Sequence, residues 1–191
     1  MGEKSLRASQ VLSENANKKT QIEDLFLKGN LMENIEGNLN VTSEIGVILP
    51  TYNEAVNIEK LIYEIDSLNL NVSILVIDDS SPDGTPQIVR NLQKRYSSVL
   101  LFQRPFKKGL GTAVTEGFKI FLSFNCPPKY VITMDADFSH NPEDIPRLVQ
   151  LAKKGYDLVI GGRYCVGGRT ERWGPFRVLI SRIANVVASI V

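Results

Sequence analysis

From Ile45 onward, short apolar runs alternate with segments of helical spacing, and few architectures accept that alternation. The runs are Gly46 to Leu49, which Pro50 stops, Val72 to Ile77, Val99 to Phe102, Tyr130 to Met134 and Leu158 to Ile160. A strand with one wet face alternates apolar and polar residues, whereas a nearly continuous run reads as a strand covered on both faces. Between the runs, Ile58, Leu61, Ile62 and Ile65 recur at helical spacing, as do Ile88, Val89 and Leu92. Thr85 is expected to cap the second helix, with Pro86 at its first position. A third helix is expected over Thr112 to Phe121. Asn141 and Pro142 open a fourth, with Glu143 and Asp144 in the first turn, where the helix dipole favours acids. Pro175 to Val191 reads as one more helix. The expected fold is α/β, a mostly parallel central sheet with helices on both faces.

In such sheets ligands bind beyond the carboxyl ends of the strands. Those ends carry Pro50-Thr51-Tyr52-Asn53-Glu54, Asp78-Asp79, Arg104 with Lys107, Lys108 and Gly109, Asp135 with Asp137, and Gly161-Gly162-Arg163-Tyr164. Polar and charged groups from five strand ends therefore converge on one rim, which a purely structural sheet does not need. Asp135 and Asp137 are two apart, so on an extended backbone they point the same way. Two neighbouring carboxylates repel unless a cation lies between them, and Mg²⁺ or Mn²⁺ is the natural occupant. Alone, the pair also reads as a solvated acidic turn. Lys108-Gly109-Leu110-Gly111-Thr112 has the look of a dinucleotide fingerprint, but Val114 stands at the third glycine and the stretch follows the third strand. Tyr52 is placed to stack on a nucleobase, and Arg163 either meets phosphate or neutralises the carboxylates.

Composition narrows the function. A net charge of +1 gives no electrostatic case for nucleic acid, and the single histidine, His140, cannot build a His-based metal site by itself. Cys126 and Cys165 lie in no metal-ligand spacing and read as free thiols in a reducing compartment. Residues 1–43 are polar and carry no strand signal, so they are expected to form a mobile extension ahead of one domain over 44–191. No run reaches the length of a transmembrane helix, and the N-terminus has no signal-peptide core.

Taken together and in order, Pro50-Thr51-Tyr52-Asn53-Glu54, Asp78-Asp79-Ser80-Ser81-Pro82-Asp83-Gly84-Thr85, Lys108-Gly109-Leu110-Gly111, Asp135-Ala136-Asp137-Phe138-Ser139-His140 and Gly162-Arg163-Tyr164 closely resemble the dolichol-phosphate (polyprenol-phosphate) mannosyltransferases. These belong to the inverting, GT-A-fold glycosyltransferases of family 2. The resemblance runs from about Ile45 to the end. It implies a GT-A, Rossmann-like fold and transfer of mannose from GDP-mannose to a dolichyl or polyprenyl phosphate, with Mg²⁺ or Mn²⁺. Pro50, Tyr52, Glu54, Ile77 and Asp79 would then hold the nucleoside. Asp135, Ala136 and Asp137 would meet the donor diphosphate, with Asp135 and Asp137 on the metal. Ser139 stands where some members carry a metal-ligating glutamine, and the shorter serine would reach the ion through water. Arg163 and Arg177 match arginines that meet phosphates near the acceptor, and with Asp137 they are the expected catalytic residues. The resemblance also implies a site at the cytoplasmic face of a membrane, with the basic and apolar stretch from Arg169 to Val191 able to lie on it. Family catalytic domains continue past Val191, so a C-terminal truncation is expected. The alternatives are a related transferase using UDP-glucose or another acceptor, and a non-catalytic fragment that binds nucleotide.

Overall fold

The computed structural model describes residues 32–162, 174, 176, 179–181, 183 and 184. Its sheet is built from β1 (Ile35–Glu36), β2 (Ile45–Thr51), β3 (Val72–Asp78), β4 (Val99–Gln103) and β5 (Tyr130–Thr133), in the order β1-β4-β3-β2-β5. The β2–β3, β3–β4 and β2–β5 pairs are parallel, and β1 joins β4 antiparallel. Helices α1 (Ile58–Ser67), α2 (Thr85–Gln93) and α3 (Leu110–Ser123) connect the strands, and a 3₁₀ turn (Pro142–Asp144) leads into α4 (Ile145–Ala152). The expected α/β sheet with helices on both faces is what forms. The chain divides into two compact units, Met1–Ile145 and Pro146–Val191.

Strand alternation sorts the core. Ile48, Leu75, Ile77 and Leu100 pack with Ala113, Ile120 and Phe121 of α3 on one face. Val47, Leu49, Ile74, Val76 and Leu101 point to the other face and are at most 1% exposed. The apolar stripe of α1, Ile58, Leu61, Ile62 and Ile65, is fully buried. Each such side chain contributes about 1.5–3 kcal/mol of burial.

α3 approaches β2 closely because Gly117 has no side chain. A Cβ there would meet Ile48 Cδ1 and Cγ2 at 2.8 Å, and Ile48 is fully buried. Gly117→Val should therefore destabilise by about 1–3 kcal/mol through overpacking, with a β-branched residue adding to the helix penalty. Gly117→Ala should lose less, because helix propensity returns up to about 1 kcal/mol. Thermal denaturation of the two variants checks both, and an unchanged Tm for the valine protein would refute the close-packing argument.

Two expectations need correction. The stretch 1–43 was expected to lack a strand, yet Ile35–Glu36 closes the sheet edge as β1. Tertiary partners hold it there. Arg90 Nε and Nη2 donate to the Glu36 carboxylate at 2.7 and 2.8 Å, and Gln93 Nε2 donates to the Glu36 carbonyl at 2.8 Å. Hydrogen bonds from Arg90 hold the Glu36 carboxyl below its usual range. No local pattern in two residues could announce this. Conversely, Leu158 to Ile160 was expected to be a fifth strand, and it has no strand structure, with Leu158 75% and Ile160 77% exposed. Three apolar residues make a strand only where a neighbour supplies the ladder. Past the end of α4 at Ala152, Gly155 turns the chain in a left-handed conformation (φ 98°) with its N–H on the Ala152 carbonyl. The described residues of the expected helix from Pro175 to Val191 are helical.

Candidate active site

The carboxyl ends of β2, β3, β4 and β5 open on one rim, and the chain leaves it under strain. Asn53, Ser80 and Phe138 follow β2, β3 and β5 with φ of 64°, 59° and 62°. Left-handed non-glycine residues are uncommon and gather at functional sites. The strain is held by side chains. Asn53 N–H donates to Ser81 Oγ at 2.9 Å, and Ser81 Oγ donates to Asp78 Oδ2 at 2.6 Å. Ser80 Oγ donates to the Arg104 carbonyl at 2.6 Å.

Asp78 and Asp79 are neighbours with different work. Asp78 is fully buried and accepts from Thr51 Oγ1, Ser81 N–H and Ser81 Oγ, so it ties β2 to the turn after β3. Asp79 points to the α3 side. It forms an ion pair with Arg104 Nη2 and accepts from Gly109 N–H at 2.9 Å. Asp83 joins the turn to α1 and α2. Partial burial acts to raise its pKa, but the Thr85 hydroxyl and the N–H groups of Ala55 and Thr85 outweigh that and hold it below the usual range. Thr85 is thus the first residue of α2 and not its cap, because Gly84 precedes it at φ 93° and Asp83 accepts its N–H.

The expected nucleoside residues fall as follows. Tyr52 is 40% exposed, and the Lys107 ammonium lies 3.4 Å from its ring centroid, a cation–π contact. The Glu54 N–H donates to Thr85 Oγ1, and its carboxylate accepts from Asn57 Nδ2 at 2.8 Å, so Glu54 also shapes the entry to α1. Pro50 lines a small cavity of about 80 Å³ together with Leu110, Met134, Asp135 and His140. Ile77 has no exposed surface, and Ala136 is 2% exposed.

After β5 the backbone turns, so Asp135 and Asp137 do not share an extended strand as expected. Ser139 gathers them instead: its N–H donates to Asp137 Oδ1 at 2.8 Å, and its hydroxyl lies 3.4 Å from Asp135 Oδ2. The Ser139 hydroxyl and N–H hold the Asp137 carboxyl below its usual value. His140 Nδ1 accepts from Asp135 N–H at 2.9 Å, which occupies that nitrogen and leaves His140 a turn-maker. The donor set suits a hard divalent cation. It is all oxygen, and among the described residues no third His, Cys, Asp or Glu joins it. Two carboxylates fit an ion that takes its remaining ligands from water and a substrate diphosphate. Arg163 and Arg177 lie outside the described residues.

Residues 46–186 match the glycosyl transferase family 2 domain. The chain belongs to that family. A dolichol-phosphate mannosyltransferase of Pyrococcus furiosus is 42% identical over 149 residues, 77% of this chain and 41% of that protein. A polyprenol monophosphomannose synthase of Mycolicibacterium smegmatis is 39% identical over 140 residues, 73% of this chain and 52% of that protein. The chain thus spans about half the length of these relatives. Among solved structures, S. aureus TarS residues 1–349 share 23% identity at a TM-score of 0.48, covering 58% of this chain and 32% of that one. A Pyrobaculum calidifontis mannosyltransferase in complex with GDP-Man and Mn²⁺ shares 26% identity at a TM-score of 0.34, covering 48% of this chain and 30% of that one.

Sequence reasoning placed Arg104 on the rim without a role. Its signal was an arginine at the end of a buried strand, and its work becomes visible only with its partners.

Proposed function

We propose that this family 2 domain transfers mannose from GDP-mannose to a polyprenyl phosphate, with inversion, at the cytoplasmic face of a membrane. The observation that carries the reading is the Asp135–Ser139–Asp137 cluster, set on the same rim as an exposed, cation-covered tyrosine. The names of the two relatives supply the sugar and the acceptor class. Tyr52 offers its ring to the base once Lys107 moves off it, and Glu54 and Asp79 flank the nucleoside, with Pro50 as its floor and the buried Ile77 supporting the slot from beneath. Asp135 and Asp137 would hold Mg²⁺ or Mn²⁺, Ser139 through water, and Ala136 keeps the two acids apart. The ion supplies charge neutralisation of the departing diphosphate. An acceptor phosphate oxygen attacks the anomeric carbon, and the bond to the diphosphate breaks on the opposite face. The nucleophile is already anionic at neutral pH, so no strong general base is needed. Arg163 and Arg177 are proposed to offset repulsion between the two phosphorylated substrates, since guanidinium matches phosphate oxygens with paired hydrogen bonds. The lipid acceptor brings the domain to the membrane. Among the described residues no helix is long and apolar enough to cross it.

The test combines turnover and binding. With Mn²⁺ and a short-chain polyprenyl phosphate, mass spectrometry should detect mannosyl-phosphoryl-polyprenol from GDP-mannose and no glucosyl product from UDP-glucose. Calorimetry should show GDP-mannose binding that EDTA weakens. Glucosyl product without mannosyl product, or tighter binding of UDP than of GDP, would overturn the donor assignment. Binding without turnover would leave the non-catalytic reading.

A further inference from the structure

Arg104 is the largest fully buried side chain of the described residues, although it stands at a strand end beside a polar rim. Its guanidinium is spread over several partners. Nη2 pairs with Asp79 and donates to the Gly109 carbonyl at 3.0 Å. Nη1 donates to Thr112 Oγ1 at 2.7 Å and reaches Glu116 Oε2 at 3.5 Å. Nε is buried without a hydrogen-bond partner. The backbone is fixed as well, with the Arg104 N–H on the Asp78 carbonyl and the Arg104 carbonyl accepting from Ser80.

A buried ion pair is weak as a source of stability, because desolvation offsets much of the attraction. What this one supplies is position. Gly109 is held at both ends of its residue: its N–H rests on Asp79 and its carbonyl on Arg104. Its φ of 89° is a left-handed value that favours glycine. Asp79 in turn donates its N–H to the Thr51 carbonyl at 2.9 Å, one residue before Tyr52. Two residues before Gly109 stands Lys107, whose ammonium covers the Tyr52 ring. Arg104, Asp79 and Gly109 thus form a closed triangle joining the two walls of one slot, the Tyr52 ring and the loop that bears Lys107.

We propose that Arg104 is the positioning residue of the nucleoside slot: through Asp79 and Gly109 it sets how far the Lys107 loop stands from Tyr52, and so whether a base fits between them. This rests on the reading of the rim as a nucleotide-sugar site. Arg104 touches no substrate. A lysine at this position keeps the charge but cannot hold Asp79, Gly109 and Thr112 together.

The experiment measures GDP binding by calorimetry and amide exchange in the nucleotide-free protein. Arg104→Lys should weaken GDP about tenfold, the worth of one charge-assisted hydrogen bond. In an Asp79→Asn background the same change should add almost nothing, because the two act as one unit. Thr112→Val removes the far partner of the guanidinium together with the hydroxyl's own bonds to the Lys108 and Gly109 carbonyls at 3.1 and 2.8 Å, so it loosens the same loop from its outer side. It should weaken GDP about threefold and speed amide exchange around Gly109 by a similar factor, with Tm nearly unchanged. If Arg104→Lys does not fold, Arg104→Gln takes its place in both backgrounds, and Thr112→Val serves as the second measurement. Normal GDP affinity and normal exchange in Thr112→Val, or a full tenfold loss from Arg104→Lys in both backgrounds, would overturn the proposal. A wild-type protein that binds no GDP would sink the nucleotide-sugar reading instead, while unchanged exchange at Gly109 in Thr112→Val would separately sink the triangle.

Discussion

Asp137→Ala should lower transfer by about 10²–10³-fold, the loss typical of removing one preorganised charge-stabilising group, and should remove the metal dependence of donor binding. Asp137 is exposed and packs against little, so its loss leaves the fold alone. Its charge is another matter. The Ser139 hydroxyl and N–H favour the ionised carboxylate, so it stays anionic throughout the neutral range. A carboxyl held low keeps its metal affinity as pH falls, and loses it only on passing below the ordinary aspartate value of about 4. Asp137→Asn keeps the shape and the Ser139 contact but not the charge, and should be nearly as damaged as the alanine protein. Initial rates across a Mn²⁺ titration, with circular dichroism as the folding control, provide the measurement. Wild-type turnover in either variant would remove Asp137 from the site.

Asp78→Ala should instead damage the fold, by about 3 kcal/mol or more. The carboxylate is fully buried and accepts from Thr51 Oγ1 at 2.9 Å, Ser81 N–H at 2.9 Å and Ser81 Oγ at 2.6 Å. Alanine leaves those donors buried with no acceptor, and each lost partner costs about 1–3 kcal/mol. It also frees Ser81, which holds the left-handed Asn53 at the next strand end. Tm and donor affinity should therefore fall together, and substrate saturation should not restore stability to the wild-type value. Asp78→Asn keeps one acceptor oxygen and should lie between. A melting curve like that of the wild type would show that the buried network is dispensable.

Much of the frame is legible in the chain. The runs beginning at Val72 and Val99 became β3 and β4 with the same first residues, and the run from Gly46 became β2, which starts one residue earlier and continues through Pro50 to Thr51, because parallel strands covered on both faces must be apolar almost throughout. Tyr130 to Met134 became β5, shorter by one residue. The helices followed their apolar spacing, and Asn141, expected to cap the fourth helix, caps the 3₁₀ turn that leads into it, accepting from Glu143 N–H at 3.1 Å. β1 was not legible, since its two residues are held by Arg90 and Gln93 from far along the chain. Nor was the failure of Leu158 to Ile160 to pair, because strand pairing belongs to two segments and periodicity reads only one.

At the rim, residue types and order were enough to bring Tyr52, Glu54, Asp79, Asp135 and Asp137 to strand ends, because strand length and direction alone put them there. Their division of labour was not. Asp78 and Asp79 are identical in kind and adjacent in sequence, yet alternation sends one side chain to each face of the sheet. There Asp78 meets Thr51 and Ser81, and Asp79 meets Arg104 and Gly109. The sequence by itself determined that two carboxylates would end β3. Only the tertiary structure decided which one ties β2 to the turn and which one pairs with Arg104 and Gly109, because a carboxylate takes its role from the donors that distant elements bring to it.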